Sequence, residues 1–146
     1  MAYCVVADVE KLMGTQLSAT SRPATDDVSD FIDHVAADLD GVAQSAGYTV
    51  PATGAQAIAL MKRYNIYGAA VAAWHAGFVS DDLPPRVEYW DTQYNNFIAR
   101  LRRGEQELPG ADSESDADPA FDIAPAVPRD GYWLTEESLV YGDSDI

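Results

Sequence analysis

The sequence predicts an all-α protein: a small bundle of about four helices in residues 1–104, followed by an extended acidic C-terminal arm in residues 105–146. Apolar side chains recur at three- and four-residue spacing in three stretches, as on the buried faces of helices, and cover nearly all sides of a fourth. Each stretch is followed by a glycine, which commonly ends a helix. The charge balance then changes after Gly104. The first 104 residues carry 12 acidic and 8 basic side chains, whereas the remainder carries 12 acidic and one basic.

The first two helices are predicted from their apolar faces and their ends. Residues 7–13 form two turns that end at Gly14. Residues 25–46 form a long helix with Thr25 as the expected N-cap and carboxylates in its first turn, where the helix dipole favours them. Gly41 either weakens this helix or lets a neighbour approach closely. The opposite, solvated face is expected to carry Asp30, Asp33, Asp38 and Asp40.

The third and fourth helices differ in how their apolar residues are distributed. The third is predicted from Thr53, whose spacing to Gln56 matches a capping box, to about Ala76. It is apolar on nearly all sides, which is typical of a central helix. The fourth begins at Pro85, a residue suited to the first helical position, and carries a narrow apolar stripe expected to be spare for lateral packing. The stripe consists of Val87, Trp90, Tyr94, Phe97, Ile98 and Leu101.

The arm is acidic, yet it carries apolar side chains that a purely solvating tail would lack. The acidic run at 112–119 is typical of a disordered or extended linker. Short β-like or irregular pieces are predicted around 121–127 and 132–141. These apolar residues either fold back onto their own domain or dock on another protein or a second copy, and docking is favoured because four helices can close a core alone. The predicted partner-binding residues are Phe121, Ile123, Tyr132, Trp133, Leu134, Leu139, Val140 and Tyr141.

The net charge of −15 argues against tight, sequence-reading binding of nucleic acid, because phosphate repels such a surface. It is compatible with a surface past which DNA slides without sticking. No apolar run approaches the roughly 20 residues that cross a bilayer, so no membrane partner is expected. The single Cys4 excludes an internal disulfide and a multi-cysteine metal site.

The sequence contains two candidates for a reactive site. Asp30, His34 and Asp38 stand at i, i+4 and i+8, so one helix face presents two carboxylates and an imidazole to a metal; a solvated polar face is the favoured interpretation. Cys4 is interpreted as a packing residue. The sequence therefore predicts no enzyme, no catalytic residue, no metal site and no cofactor.

Three arginines crowd the last turn of the fourth helix: Arg100, Arg102 and Arg103. The favoured interpretation is a cationic helix C-terminus, which the helix dipole stabilises. The alternative is a basic rim that contacts DNA phosphate or an acidic partner, including the arm of a neighbouring subunit.

The order of three segments resembles the head–tail connector, or adaptor, proteins of long-tailed bacteriophages. The segments are ADVEKLMG at 7–14, FIDHVAADLDGVAQSAGYTVP at 31–51 and ALMKRYNIYGAAVAAW at 59–74. The resemblance covers roughly residues 3–104, and it rests on order and spacing because none of the segments is a catalytic fingerprint. The arm after Gly104 is longer and more acidic than in that family.

The resemblance implies a helical virion protein at the head–tail interface, made in the host cytoplasm. Such a protein forms a homo-oligomeric ring of about twelve copies beneath the portal protein. The ring extends the channel through which DNA passes without specific binding, and it receives the next connector or tail protein. Two alternatives stand beside this expectation: an acidic DNA-mimic or regulatory binding protein and, less favoured, a small metal-dependent enzyme.

Overall fold

A computed structural model describes residues 1–78 and 82–113 and confirms the predicted helical bundle. Between them, these residues form four helices and no β-strand; Tyr48 and Ser113 make one isolated antiparallel bridge. The helix α3 makes the most extensive contacts with the other three, which confirms its central position. The helices are α1 (Val6–Met13), α2 (Thr25–Ser45), α3 (Ala55–Gly77) and α4 (Pro85–Arg102).

The helices α1 and α2 begin in the same way. The Val5 N–H donates to an Asp8 carboxylate oxygen at 3.1 Å, and the Ala24 N–H donates to Asp27 at 2.9 Å. Each carboxylate stands in the first turn and reaches back to a backbone donor that has no partner within the helix. The predicted N-cap at Thr25 is therefore wrong by one residue, since Ala24 is the N-cap and Thr25 is already helical.

The start of α3 also differs from the prediction. Its N-cap is Gly54, and neither Thr53 nor Gln56 forms the predicted capping box. The Thr53 hydroxyl instead donates to an Asp112 carboxylate oxygen at 2.8 Å. The Thr53 hydroxyl thus bonds to a residue distant in sequence, whereas the local pattern predicted that it caps α3.

The ends of α2 and α4 share one backbone motif. Gly47 and Gly104 have positive φ angles of 90° and 70°, a conformation that glycine adopts at little cost. The N–H of the following residue donates back to the helix, from Tyr48 to the Ala43 carbonyl at 3.0 Å and from Glu105 to the Arg100 carbonyl at 2.9 Å. These are the bonds of a Schellman motif, which turns the chain and satisfies free carbonyls.

Residues 1–78 and 82–113 bury two clusters of side chains, one containing Leu39, Met61 and Leu101 and the other containing Val9 and Val28. The stripe on α4 was expected to be spare, and that expectation is wrong. Four of its residues are buried in these clusters because α4 packs on α2 and α3 of its own chain. They are Val87, Trp90, Phe97 and Leu101.

Asn65, a fully buried polar residue at the centre of α3, joins three segments. Its side-chain oxygen accepts the Tyr3 N–H at 3.1 Å and the Cys4 thiol at 3.3 Å, and its amide donates to the Ile32 carbonyl at 3.0 Å. A buried amide without such partners would destabilise the fold. Asn65 therefore ties the N-terminal residues and α2 to α3.

Tyr3 continues this network towards the α2–α3 turn. Its hydroxyl donates to the Asp40 carboxylate and accepts the Ala52 N–H at 3.0 Å. Burial and the bond to Asp40 raise the pKa of Tyr3 to about 12, so its hydroxyl keeps its proton at neutral pH. The N-terminal residues are thus fixed at both α3 and the α2–α3 turn.

Close approach of α2 and α3 occurs at Gly68, where a Cβ would lie 2.7 Å from Val35 Cγ1. The suggestion that Gly41 serves this purpose is wrong, because no atom of the described residues lies within 4 Å of a Cβ built there.

The first nine residues of the predicted arm pack on the bundle. Leu108 is buried, and its N–H donates to the Tyr48 hydroxyl at 3.3 Å. The Asp112 carbonyl accepts the Thr49 N–H at 2.9 Å, and Gly110 lies so close to Gly54 that a Cβ on Gly54 would be 2.1 Å from the Gly110 carbonyl oxygen. Residues 105–113 thus cover the α2–α3 turn.

Candidate interaction surface

A groove of about 540 Å³ lies between α1 and α3. Most of its accessible lining is apolar, yet it carries three of the eight basic side chains of the first 104 residues. We call it the α1–α3 groove. It is lined by Asp8, Lys11, Leu12, Ala59, Lys62, Arg63, Ile66 and Tyr67.

One of the three cations already has a partner within the groove. Lys62 Nζ lies 3.0 Å from Asp8 Oδ2 and joins α3 to α1. Burial raises the pKa of Asp8, but the hydrogen bonds from Lys62 and from the Val5 N–H, with the charges of Lys62 and Lys11, outweigh it and lower the pKa overall. The other two cations are exposed and pair with no described acidic residue, so the groove presents a surplus of positive charge on an acidic protein.

The apolar surface continues beyond the groove. Tyr67 meets the ring of Tyr89 edge to face, with centroids 6.5 Å apart, and Tyr89 is 55% exposed. In α3, Ile58 lies one turn before Lys62 and is 39% exposed. Exposed aromatic and aliphatic side chains next to cations are typical of a protein-binding surface.

A second groove, of about 520 Å³, lies between α2 and α4 and contains one of the predicted arginines. Arg102 lines it together with Asp38 and Tyr94. Burial, followed by the negative charge of Asp38, raises the pKa of Tyr94, while Arg102 opposes that rise. One acidic and one basic side chain balance each other in this groove, whereas the α1–α3 groove has three basic side chains and one acidic, so charge selects a partner less strongly here.

The other two predicted arginines are exposed at the end of α4. Arg103 Nη2 lies 3.0 Å from Glu105 Oε2 in its own chain, and both side chains are well exposed, so this pair contributes little stability. Contacts of Arg100, Arg102 and Arg103 with DNA or with another subunit remain a prediction.

The predicted partner-binding residues of the arm stay a prediction, because they lie outside the described residues: Phe121, Ile123, Tyr132, Trp133, Leu134, Leu139, Val140 and Tyr141.

The histidine-containing face of α2 is exposed along Asp30, His34 and Asp38. Within residues 1–78 and 82–113, no group of three or more His, Cys, Asp or Glu side chains is placed to hold a metal ion. Cys4 is buried, and desolvation raises the pKa of its thiol to about 11, with the charge of Asp8 adding to the rise. The interpretation of Cys4 as a packing residue is confirmed.

Sequence reasoning missed the α1–α3 groove because its cations come from two helices. Lys11 stands at the end of α1, whereas Lys62 and Arg63 stand in the first half of α3. The apolar residues on nearly all sides of α3 predict that the helix is buried. They do not indicate that its two adjacent cations line a groove. The available signal was that pair, followed by Ile66 and Tyr67 one turn later on the same face.

Comparisons with protein-family models, curated proteins and solved structures found no match to this chain. In the described part of the chain, no helix has the length and apolar character needed to cross a membrane.

Proposed function

We propose that this protein is a structural head–tail adaptor of a long-tailed bacteriophage. In this role it forms a ring beneath the portal, extends the DNA channel and joins the capsid to the tail. The proposal rests on the resemblance of three segments of the sequence, and the described fold adds support from the positions and contacts of those segments.

The observation that carries the proposal is that the three similar segments form one interlocked unit. The first contains most of α1, the second ends in the turn after α2, and the third is most of α3. The polar groups around them hold the unit together, since Asn65 bonds to residue 3, residue 4 and Ile32, and Ala52 bonds to Tyr3. A rigid unit of this kind suits a protein that transmits load between capsid and tail.

The charge of the body also suits a channel. Exposed aspartates follow one another along the solvent side of α2, and negative charge repels the DNA backbone. On this proposal, DNA moves past the ring without being retained. The aspartates in question are Asp26, Asp30, Asp33 and Asp38.

Electron microscopy of the purified full chain tests the proposal. The expected result is closed rings of about a dozen copies, the symmetric closure that head-to-tail contacts produce, with a central opening wide enough for duplex DNA. Particles of one or two copies at every protein concentration would overturn it.

A further inference from the structure

We propose that the α1–α3 groove binds residues 132–141 of a neighbouring copy of the chain. The inference rests on the proposed ring, for which it names the contact between subunits. The groove is open, mostly apolar and lined by three cations against one carboxylate. On a chain with a net charge of −15, such a surface attracts an acidic segment that also carries apolar side chains.

Residues 132–141, with the sequence YWLTEESLVY, have this chemistry. Apolar and aromatic side chains stand on both sides of Glu136 and Glu137. Tyr and Trp are the residues that most often anchor protein interfaces, and the lining of the groove offers them Leu12, Ile66 and Tyr67. The two glutamates match in number the two groove cations that form no ion pair among the described residues, Lys11 and Arg63.

The length of the arm allows this contact to be made with another subunit. The described chain ends at Ser113, which is bridged to Tyr48 at the α2–α3 turn. Residues 114–131 separate this point from the docking segment, and a stretch of that length spans up to about 60 Å when extended. The groove and the arm are different surfaces, so the contact is heterologous, and a heterologous contact that closes on itself generates a ring.

Charge exchange in the full chain tests the contact. K11E/R63E reverses the two exposed cations of the groove, and E136K/E137K reverses the glutamates of the segment. Each double variant is expected to weaken self-association at least about tenfold, as measured by sedimentation, because like charges then face each other. The quadruple variant is expected to recover most of the wild-type association. Failure of the quadruple variant to associate better than both double variants would overturn the proposal.

The control for the groove is a single reversal at another exposed arginine. R22E makes the same change in net charge as R63E but lies outside the groove, so it is expected to leave association unchanged. Both variants should retain the wild-type circular dichroism spectrum and unfolding midpoint, since both side chains are exposed. Equal loss of association in R22E and R63E would show a general effect of charge and would contradict the proposal.

Mixing two defective chains separates a contact between copies from a contact within one chain. K11E/R63E keeps an intact segment, and W133A/L134A keeps an intact groove. If the arm docks on a neighbour, each variant alone is monomeric and the mixture forms a one-to-one complex. A mixture that stays monomeric would overturn docking between copies.

The same experiments distinguish this inference from the proposed function. Rings that persist in both charge-reversal variants would contradict the groove contact but remain consistent with the adaptor proposal. If the quadruple variant recovers association but the particles never close into rings, the groove contact is supported and the adaptor proposal is contradicted.

Discussion

The two sides of α3 use polar residues in opposite ways. On the inner side, Asn65 is fully buried and its amide bonds to three groups of other segments. Two residues earlier, Arg63 is exposed in the α1–α3 groove and has no ion-pair partner among the described residues. Both belong to the RYN segment, whose central Tyr64 stacks on Phe97 with ring centroids 3.9 Å apart.

The difference shows that residues of one short motif can serve separate purposes: Asn65 stabilises the fold, whereas Arg63 is available for binding. A buried polar side chain destabilises the fold unless the chain itself supplies its partners, which Asn65 has. An exposed guanidinium is solvated, so Arg63 needs no partner for folding and is available to another molecule. Mutations on the inner side should therefore lower stability, and mutations on the outer side should change association while the fold persists.

The largest expected effect is the loss of Asn65. Asn65→Ala leaves the buried Tyr3 N–H without its acceptor, removes the side-chain bond to the Ile32 carbonyl and creates a small cavity. We expect the free energy of unfolding to fall by about 3 kcal/mol. Urea unfolding followed by circular dichroism measures it. Asn96→Ala, at an exposed position of α4, is the matched control and should change the value by less than about 0.5 kcal/mol. Similar effects of the two variants would erase the distinction between the sides of α3.

The next effect concerns the seam between the bundle and residues 105–113. Gly54→Ala places a methyl group against the Gly110 carbonyl, where the two backbones approach too closely for a side chain. We expect a loss of about 2 kcal/mol in the free energy of unfolding, and faster proteolysis near Leu108, because the segment must move away. Unchanged proteolysis and unchanged stability would mean that the packing of residues 105–113 does not require the close approach of Gly54 to Gly110.

Gly41→Ala is expected to have the opposite sign. Gly41 lies inside α2, is exposed, and has nothing within 4 Å of an added Cβ. Alanine in a helix interior is favoured over glycine, so the free energy of unfolding should rise by about 1 kcal/mol. Thermal unfolding checks this, and it also serves as the comparison for Gly54→Ala. A lower midpoint would contradict the assignment of Gly41 to an open helix face.

The smallest effect concerns the outer side, at the pair between Asp8 and Lys62. Asp8→Asn keeps an acceptor for the Val5 N–H but removes the charge. Both partners are partly exposed, so we expect a loss of about 0.5 kcal/mol at neutral pH.

The lowered pKa of Asp8 determines how the stabilisation by this pair changes with pH. The folded-state pKa of Asp8 lies below the ordinary value of 3.8, so its stabilisation is complete above about pH 4 and disappears as the pH falls through the folded-state value. The difference between wild type and Asp8→Asn should therefore vanish in acid. Asp33→Asn, at an exposed position without an ion pair among the described residues, is the control and should change the free energy of unfolding at neutral pH by less than about 0.5 kcal/mol. A difference that grows on acidification would refute the account of the pair.

Much of the helical fold follows from the sequence because its signals are local. The spacing of Val28, Ile32, Val35 and Leu39 defines a buried face within one helix, and Gly14, Gly47 and Gly104 end helices by their own backbone freedom. The apolar residues on nearly all sides of α3 also indicate its central place. These features depend on residues within a few turns of one another.

The errors arise where partners are distant in sequence. The Thr53 hydroxyl is bound by Asp112, so the local capping pattern was misleading. The stripe on α4 is buried by α2 and α3, which its own periodicity cannot reveal. The α1–α3 groove exists only because α1 packs on α3, and it brings Lys11 next to Arg63.

Native mass spectrometry of the full chain, over a range of protein concentrations, decides whether this protein assembles into a ring. The account predicts one dominant assembly of about a dozen copies of the 15.8 kDa chain, without a ladder of growing open oligomers. In K11E/R63E the same bundle should be found as a folded monomer. A wild-type chain that stays monomeric throughout would contradict the claim that this protein is a ring-forming joint.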